Sequence, residues 1–247
     1  MKLNLHTSAK RTKKIPAIKV FIQTSFLDWR SQICSVVFLG GCNFRCPYCH
    51  NRDLVLCPQK LSDIPLQDIR DCISSYKDWL DGVVISGGEP CLNPELPDLI
   101  YEFRNLGLKI KLDTNGSRPE LLKQVINDGL VDYVAMDFKA PLNEFSYRRC
   151  TGVWTDVRAI GKSLDILLTE DVDYEFRVTV CPDLLDLKDI EYMGERIEGA
   201  KRFVLQNFVP QNTLETSMNE IVPYTSEKLE KMKEIISHNV KECLIIS

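Results

Sequence analysis

Short β-branched runs alternate with longer amphipathic stretches along the chain, and that order leaves few folds open. Strands are expected at residues 33–39, 82–86, 108–113, 131–137, 174–180 and 202–208. Helices are expected between them at 66–80, 95–106, 119–128, 156–168 and 186–197. Repeated βα units build a parallel sheet, and six of them make most of an α/β barrel. An extra strand is expected ahead of the barrel at 17–23 and a closing helix at 226–238.

Several of the expected strands run into polar or glycine-rich sequence. GGCNFRC follows the first, GGEP the second, TNG the third and FKAP the fourth. Parallel α/β folds gather ligands at the carboxyl ends of their strands, so these segments should converge on one face.

At 247 residues the chain can bury a full core, and no apolar run approaches the length of a membrane span. The opening segment, 1–16, carries five basic residues and no acidic one, but lacks the apolar stretch of a secretory signal. It reads as a solvated tail ahead of a domain at 17–247. A net charge of -4 gives no global reason to expect a nucleic-acid or membrane partner.

Of the ten cysteines, three cluster as Cys42-Asn43-Phe44-Arg45-Cys46-Pro47-Tyr48-Cys49, a C-x3-C-x2-C spacing. The others are scattered, and Cys57, Cys72, Cys91, Cys150, Cys181 and Cys243 read as small buried residues. A metal site with buried thiols suits the reducing cytoplasm better than a disulfide framework does. Three thiolates from one loop can cap three irons of a cubane and leave the fourth open to substrate. Tetrahedral zinc is the rival, and it would need a fourth ligand such as His50 or a distant cysteine.

The cysteine spacing, with aromatic Tyr48 before the last cysteine, resembles the signature of the radical S-adenosylmethionine (SAM) enzymes. Gly87-Gly88-Glu89-Pro90 matches that family's second motif. The resemblance implies an α/β fold of the partial (β/α)6 TIM-like barrel type, a 4Fe-4S cluster on Cys42, Cys46 and Cys49, and reductive cleavage of SAM to a 5'-deoxyadenosyl radical. It further implies that Gly87 and Gly88 let backbone approach the methionyl group and that Glu89 accepts its ammonium.

Thr24-Ser25 with Asp28, GCNFRCPYCHN at 41–51, Asp113-Thr114-Asn115-Gly116 and Ala135-Met136-Asp137-Phe138-Lys139 together resemble the glycyl radical enzyme activases, in particular those of anaerobic ribonucleotide reductase. That likeness implies a monovalent cation held near Asp113 and Asp137, with Asn115, Lys139 and Arg177 as ligand contacts. The residues alone also allow a turn role for Asp113 and an ion pair for Asp137, Lys139 or Arg177. The implied partners are a glycyl radical enzyme and reduced flavodoxin or ferredoxin as electron donor. Arg30-Ser31 departs from the Pro-Gly usual in that group, in a loop expected to border the docking rim. Other readings are a radical enzyme modifying a small molecule, peptide or RNA, and a non-catalytic metal-binding module. The module leaves GGEP and DTNG without a role.

Overall fold

The structure, a computed structural model, describes residues 14–246. Eight strands form one sheet in chain order: β1 (Ile18–Ser25), β2 (Cys34–Leu39), β3 (Gly82–Gly87), β4 (Lys109–Thr114), β5 (Tyr133–Asp137), β6 (Asp173–Val180), β7 (Phe203–Asn207) and β8 (Cys243–Ile246). β1 runs antiparallel to β2, and every later pair is parallel. Parallel neighbours need long crossovers. Those are supplied by α1 (Arg52–Leu56), α2 (Leu66–Ser74), α3 (Leu96–Arg104), α4 (Pro119–Asn127), α5 (Glu144–Thr151), α6 (Val157–Thr169), α7 (Leu187–Arg196) and α8 (Ser226–Ser237). The sheet does not close, because β1 and β8 are its two ends. The fold is therefore a partial α/β barrel. Among the described residues no helix is long and apolar enough to cross a membrane.

The six expected strands are β2 to β7, within two residues at each end. β8 was not expected; it is four residues at the end of the chain, too short for a period to show. α1 and α5 were also missed, the first for its length and the second because little but Tyr147, Cys150 and Thr151 on it is buried. The helix expected over 66–80 stops at Ser74, where Ser75 Oγ turns back to the Cys72 carbonyl at 2.6 Å. Cys57 and Cys72, expected inside, are half-buried, whereas Cys91, Cys150, Cys181 and Cys243 are buried. Residues 1–13 of the basic segment lie outside the described residues; Lys14 pairs with Glu95 at 3.4 Å and Pro16 is buried.

The two faces of the sheet differ in chemistry. Outward residues such as Val83, Ile85, Ile110, Leu112, Val134, Phe176 and Leu205 pack with helix residues including Ile69, Leu99, Leu122 and Leu164 into the main core. Inside the barrel, Trp29, Cys34, Val36 and Val84 form a smaller apolar cluster on the β2–β3 side. On the β4–β6 side the inward positions are charged: Lys111 and Asp113, then Asp137, then Glu175 and Arg177. Hence β2 and β3 read as nearly continuous apolar runs, while β4 and β6 alternate.

The Arg30-Ser31 loop precedes β2 and therefore lies at the amino ends of the parallel strands, opposite their carboxyl ends. Trp29 packs into the amino end of the barrel, 5.9 Å from the Tyr133 ring centroid. Ser31 adopts φ 61°, a left-handed conformation that suits the glycine of the activase pattern better. Arg30 reaches Glu242 at 2.7 Å, so a side chain from the loop after β1 meets the residue before β8 near the open seam.

Candidate active site

The loop between β2 and α1 carries the three clustered cysteines and is held from several sides. The Arg45 backbone N–H donates to the Thr151 carbonyl at 2.7 Å, and Glu215 N–H donates to the Pro47 carbonyl at 2.9 Å. The Arg45 guanidinium folds back on the Cys42 and Phe44 carbonyls, at 2.7 Å each. Phe44 and Tyr48 are buried and anchor the loop in the core. Gly152, at φ 70°, ends α5 against this loop, since a Cβ there would lie 2.2 Å from the Arg45 carbonyl oxygen.

GGEP locks onto the same loop. Gly88 N–H donates to the Leu39 carbonyl at 3.0 Å and Glu89 N–H to the Gly41 carbonyl at 2.9 Å. A Cβ on Gly87 would meet the Leu39 carbonyl oxygen at 2.2 Å, and one on Gly88 would meet that of Gly41 at 2.0 Å. The close approach that requires both glycines is thus between two protein backbones. Asn51 adds a side-chain hydrogen bond to the Gly87 carbonyl at 3.0 Å.

Glu89 is buried and joins GGEP to the turn after β4. Its Oε1 accepts from Thr114 Oγ1 at 2.7 Å and from Cys91 N at 3.0 Å, while Oε2 accepts Asn115 N at 2.6 Å. Burial pushes its carboxyl up, and these donors oppose the rise. Asn115 in turn donates to Asn43 Oδ1 at 3.0 Å, returning the network to the cysteine loop.

Asp113, Asp137, Lys139 and Arg177 meet across β4, β5 and β6. Asp113 caps no helix, contrary to the turn role its residue type allows; its Oδ2 accepts from Ser86 Oγ at 3.1 Å. Asp137 pairs with Lys139 at 3.2 Å and with Arg177 at 3.1 Å. Burial would raise Asp137, but Lys139 and then Arg177 outweigh it and hold the carboxyl below the usual range. Lys139 Nζ also lies 5.9 Å from the Tyr48 ring centroid.

These groups line one cleft of about 220 Å³ at the carboxyl ends of the strands. Its walls hold Cys42, Cys46, Cys49, Gly87, Gly88, Glu89, Pro90, Asp113, Asn115, Asp137, Lys139 and Arg177. Of the expected site residues only Tyr48 stays behind the wall, packed in the core. Phe44, Asn51, Val55, Ser86, Thr114 and Gln206 complete the lining and were not expected. Asn51, in the GCNFRCPYCHN segment, and Thr114, in DTNG, lay within noted motifs; Gln206 had only its place near the end of β7 as a signal.

The donor set distinguishes two kinds of metal centre. Three thiols share the cleft without a fourth cysteine or a histidine in its lining. His50, the fourth ligand zinc would have needed, places Nε2 3.0 Å from the Val209 carbonyl instead. Among the described residues no three Cys, His, Asp or Glu converge on a point where a single ion could bind. Thiols spread around a cleft suit a multi-iron cluster with an open position. Burial pushes Cys42 up to about 12 and Cys46 to about 11, so in the bare protein both are neutral thiols at pH 7. Bound metal favours the thiolate form, coupling binding to proton release.

The chain is similar to several known proteins. A Methanocaldococcus jannaschii protein provisionally named a glycyl-radical enzyme activating enzyme is 27% identical over 227 residues, covering 91% of this chain and 93% of that protein. The pyruvate formate-lyase-activating enzyme of Clostridium pasteurianum is 27% identical over 190 residues, covering 73% and 76%. A solved structure of TYW1 with a lysine-pyruvate adduct bound shares the fold with a TM-score of 0.61 at 16% identity, covering 84% of this chain and 74% of that one. Coproporphyrinogen III oxidase from Escherichia coli, described as a radical SAM enzyme, gives 0.56 at 13%, covering 82% and 51%. Residues 36–173 match the radical SAM superfamily, a segment running from β2 into β6 that takes in the cysteine loop, GGEP and DTNG. With more than half its length so matched, the chain belongs to the radical SAM superfamily.

Proposed function

We propose that residues 17–247 form one catalytic domain of a glycyl radical enzyme activase, whose target is anaerobic ribonucleotide reductase or a related enzyme. The observation that carries the reading is the meeting of the three loop thiols, GGEP, Asp113, Asp137 and Lys139 in one cleft. The likeness to a provisionally named activating enzyme over 91% of the chain supports the activase class. Cys42, Cys46 and Cys49 would hold a 4Fe-4S cluster, and the cleft provides no fourth thiol or imidazole to close it.

When bound, the cluster supplies one electron for cleavage of SAM to methionine and a 5'-deoxyadenosyl radical. The chain orients the ligand. A carboxylate has about four lone-pair sites, and Glu89 uses three on the Cys91 and Asn115 backbone N–H groups and the Thr114 hydroxyl, leaving one on Oε2 for the methionyl ammonium. Lys139 and Arg177 carry the positive charge that receives the carboxylate. Phe44 and Val55 supply apolar wall that limits water. A backbone glycine of the partner would enter by the open mouth and give up a Cα hydrogen, with reduced flavodoxin or ferredoxin as electron donor in an anaerobic cytoplasm.

The test is electron paramagnetic resonance on a glycyl radical enzyme incubated anaerobically with the protein, reductant and SAM. A glycyl doublet that collapses on Cα deuteration, with deuterium appearing in 5'-deoxyadenosine, is expected. Deuterium transfer from RNA, a peptide or a metabolite, with no radical on any glycyl radical enzyme encoded with this chain, would move the protein to another radical SAM class.

A further inference from the structure

Arg177 sits between the two aspartates that the activase resemblance assigns to a monovalent cation. It is the cross-strand partner of Asp137. Its Nε and Nη2 both lie 3.1 Å from Asp137 Oδ1, and Nη1 lies 3.5 Å from Asp113 Oδ1. Asp113 Oδ1 is buried with no hydrogen bond; among the described residues its cationic neighbours are Arg177 and Lys111, the latter at 3.7 Å. Lys139 takes the other Asp137 oxygen at 3.2 Å.

Asp113, Asp137 and Glu175 face Lys111, Arg177 and Lys139, with Lys111 3.8 Å from Glu175. An added cation between the two aspartates would compete with a guanidinium for the same oxygens. Arginine stays ionised at every working pH and does not dissociate. We infer that Arg177 is the resident cation of this pocket, and that the chain binds its ligand without a bound Na⁺ or K⁺. Nη1 carries two N–H donors, so Arg177 can rest on Asp113 with one and meet a carboxylate in the cleft with the other. That last role rests on the function proposed above; the occupancy of the cation position does not.

The test begins with thallous nitrate, a K⁺ surrogate, titrated into the full chain purified anaerobically and followed by thallium-205 NMR. No saturable broadening is expected for the wild type. Arg177→Gln should gain broadening that Asp113→Asn then removes. In parallel, SAM affinity should agree within twofold between sodium, potassium and tetramethylammonium nitrate for the wild type. For Arg177→Gln it should fall at least tenfold in tetramethylammonium and recover in potassium. Saturable thallium binding by the wild type, or a tenfold cation dependence of its SAM affinity, overturns the inference. So does a folded Arg177→Gln that binds thallium no better than the wild type. If that variant fails to fold, the wild-type titration decides alone. Absence of SAM binding in every salt would count against the proposed function while the thallium result still judges Arg177.

Discussion

Glu89 Oε2 accepts the Asn115 backbone N–H at 2.6 Å, so one buried carboxylate fixes the turn after β3 to the turn after β4. Glu89→Gln replaces one acceptor oxygen by an NH2 group that must face a donor. Leaving a buried N–H unpaired costs about 1–3 kcal/mol. Denaturant unfolding should show that loss, and calorimetry should show weaker SAM binding. Unchanged stability and affinity together would remove Glu89 from both roles.

Anaerobic reconstitution should load about four irons and four sulfides per chain on the three loop thiols. Cys42→Ala, Cys46→Ala and Cys49→Ala should each lose the cubane signature in iron analysis and optical spectra. Cys150→Ala, at a buried position outside the cleft, should keep it. Full iron in all three loop variants, or one zinc per chain, contradicts the assignment.

Gly88→Ala should displace the cysteine loop, because the added methyl would lie 2.0 Å from the Gly41 carbonyl oxygen, a backbone atom with no rotamer to yield. Overpacking of this kind costs about 1–3 kcal/mol. Iron content should fall together with stability. Gly107→Ala makes the contrast: nothing lies within 4 Å of its added methyl, so it should keep full iron while its φ of 83° costs some stability.

Two ion pairs near the amino end of the barrel should differ sharply in worth. Lys111 is buried and faces Glu175, Asp113 and the Asp28 carbonyl, so Lys111→Met removes a buried cation shared by two interior carboxylates, a kind of loss that costs about 3–5 kcal/mol. The Arg30–Glu242 pair is exposed, and Arg30→Ala should cost no more than about 1 kcal/mol. Urea unfolding of both variants measures the ratio, and equal losses would refute the distinction.

Asp137 predicts the sign of one pH dependence. Its folded carboxyl titrates below the unfolded value of roughly 3.9. Its contribution is therefore complete above that value and is lost as pH falls through the lower folded one. Glu89, raised by burial, works in the opposite sense: its ionisation opposes folding as pH rises through its folded value. Asp137→Asn should flatten the acid limb of a stability–pH profile, and an unaltered limb would show that Asp137 is not held ionised by Lys139 and Arg177.

The βα order, six of the strands and the cysteine triad were legible because each is a property of contiguous residues. Period two, period 3.6 and a loop spacing survive in a linear reading. Motif order also placed Cys42, Gly87, Asp113 and Asp137 at strand ends, which in a parallel sheet means one face. Packing holds the Tyr48 ring in the core, and the amino ends of the strands carry Arg30-Ser31 away from the cleft; neither placement could be seen locally. What only the tertiary structure decided is how charges pair. Arg177 lies 40 residues from Asp137 in the chain, and strand register made them neighbours. Glu89 meets Asn115 across 26 residues because β3 and β4 end side by side. Composition and spacing name the groups, but ion pairs and buried hydrogen bonds fall off over a few ångströms, and distances on that scale exist only once the sheet has set its register.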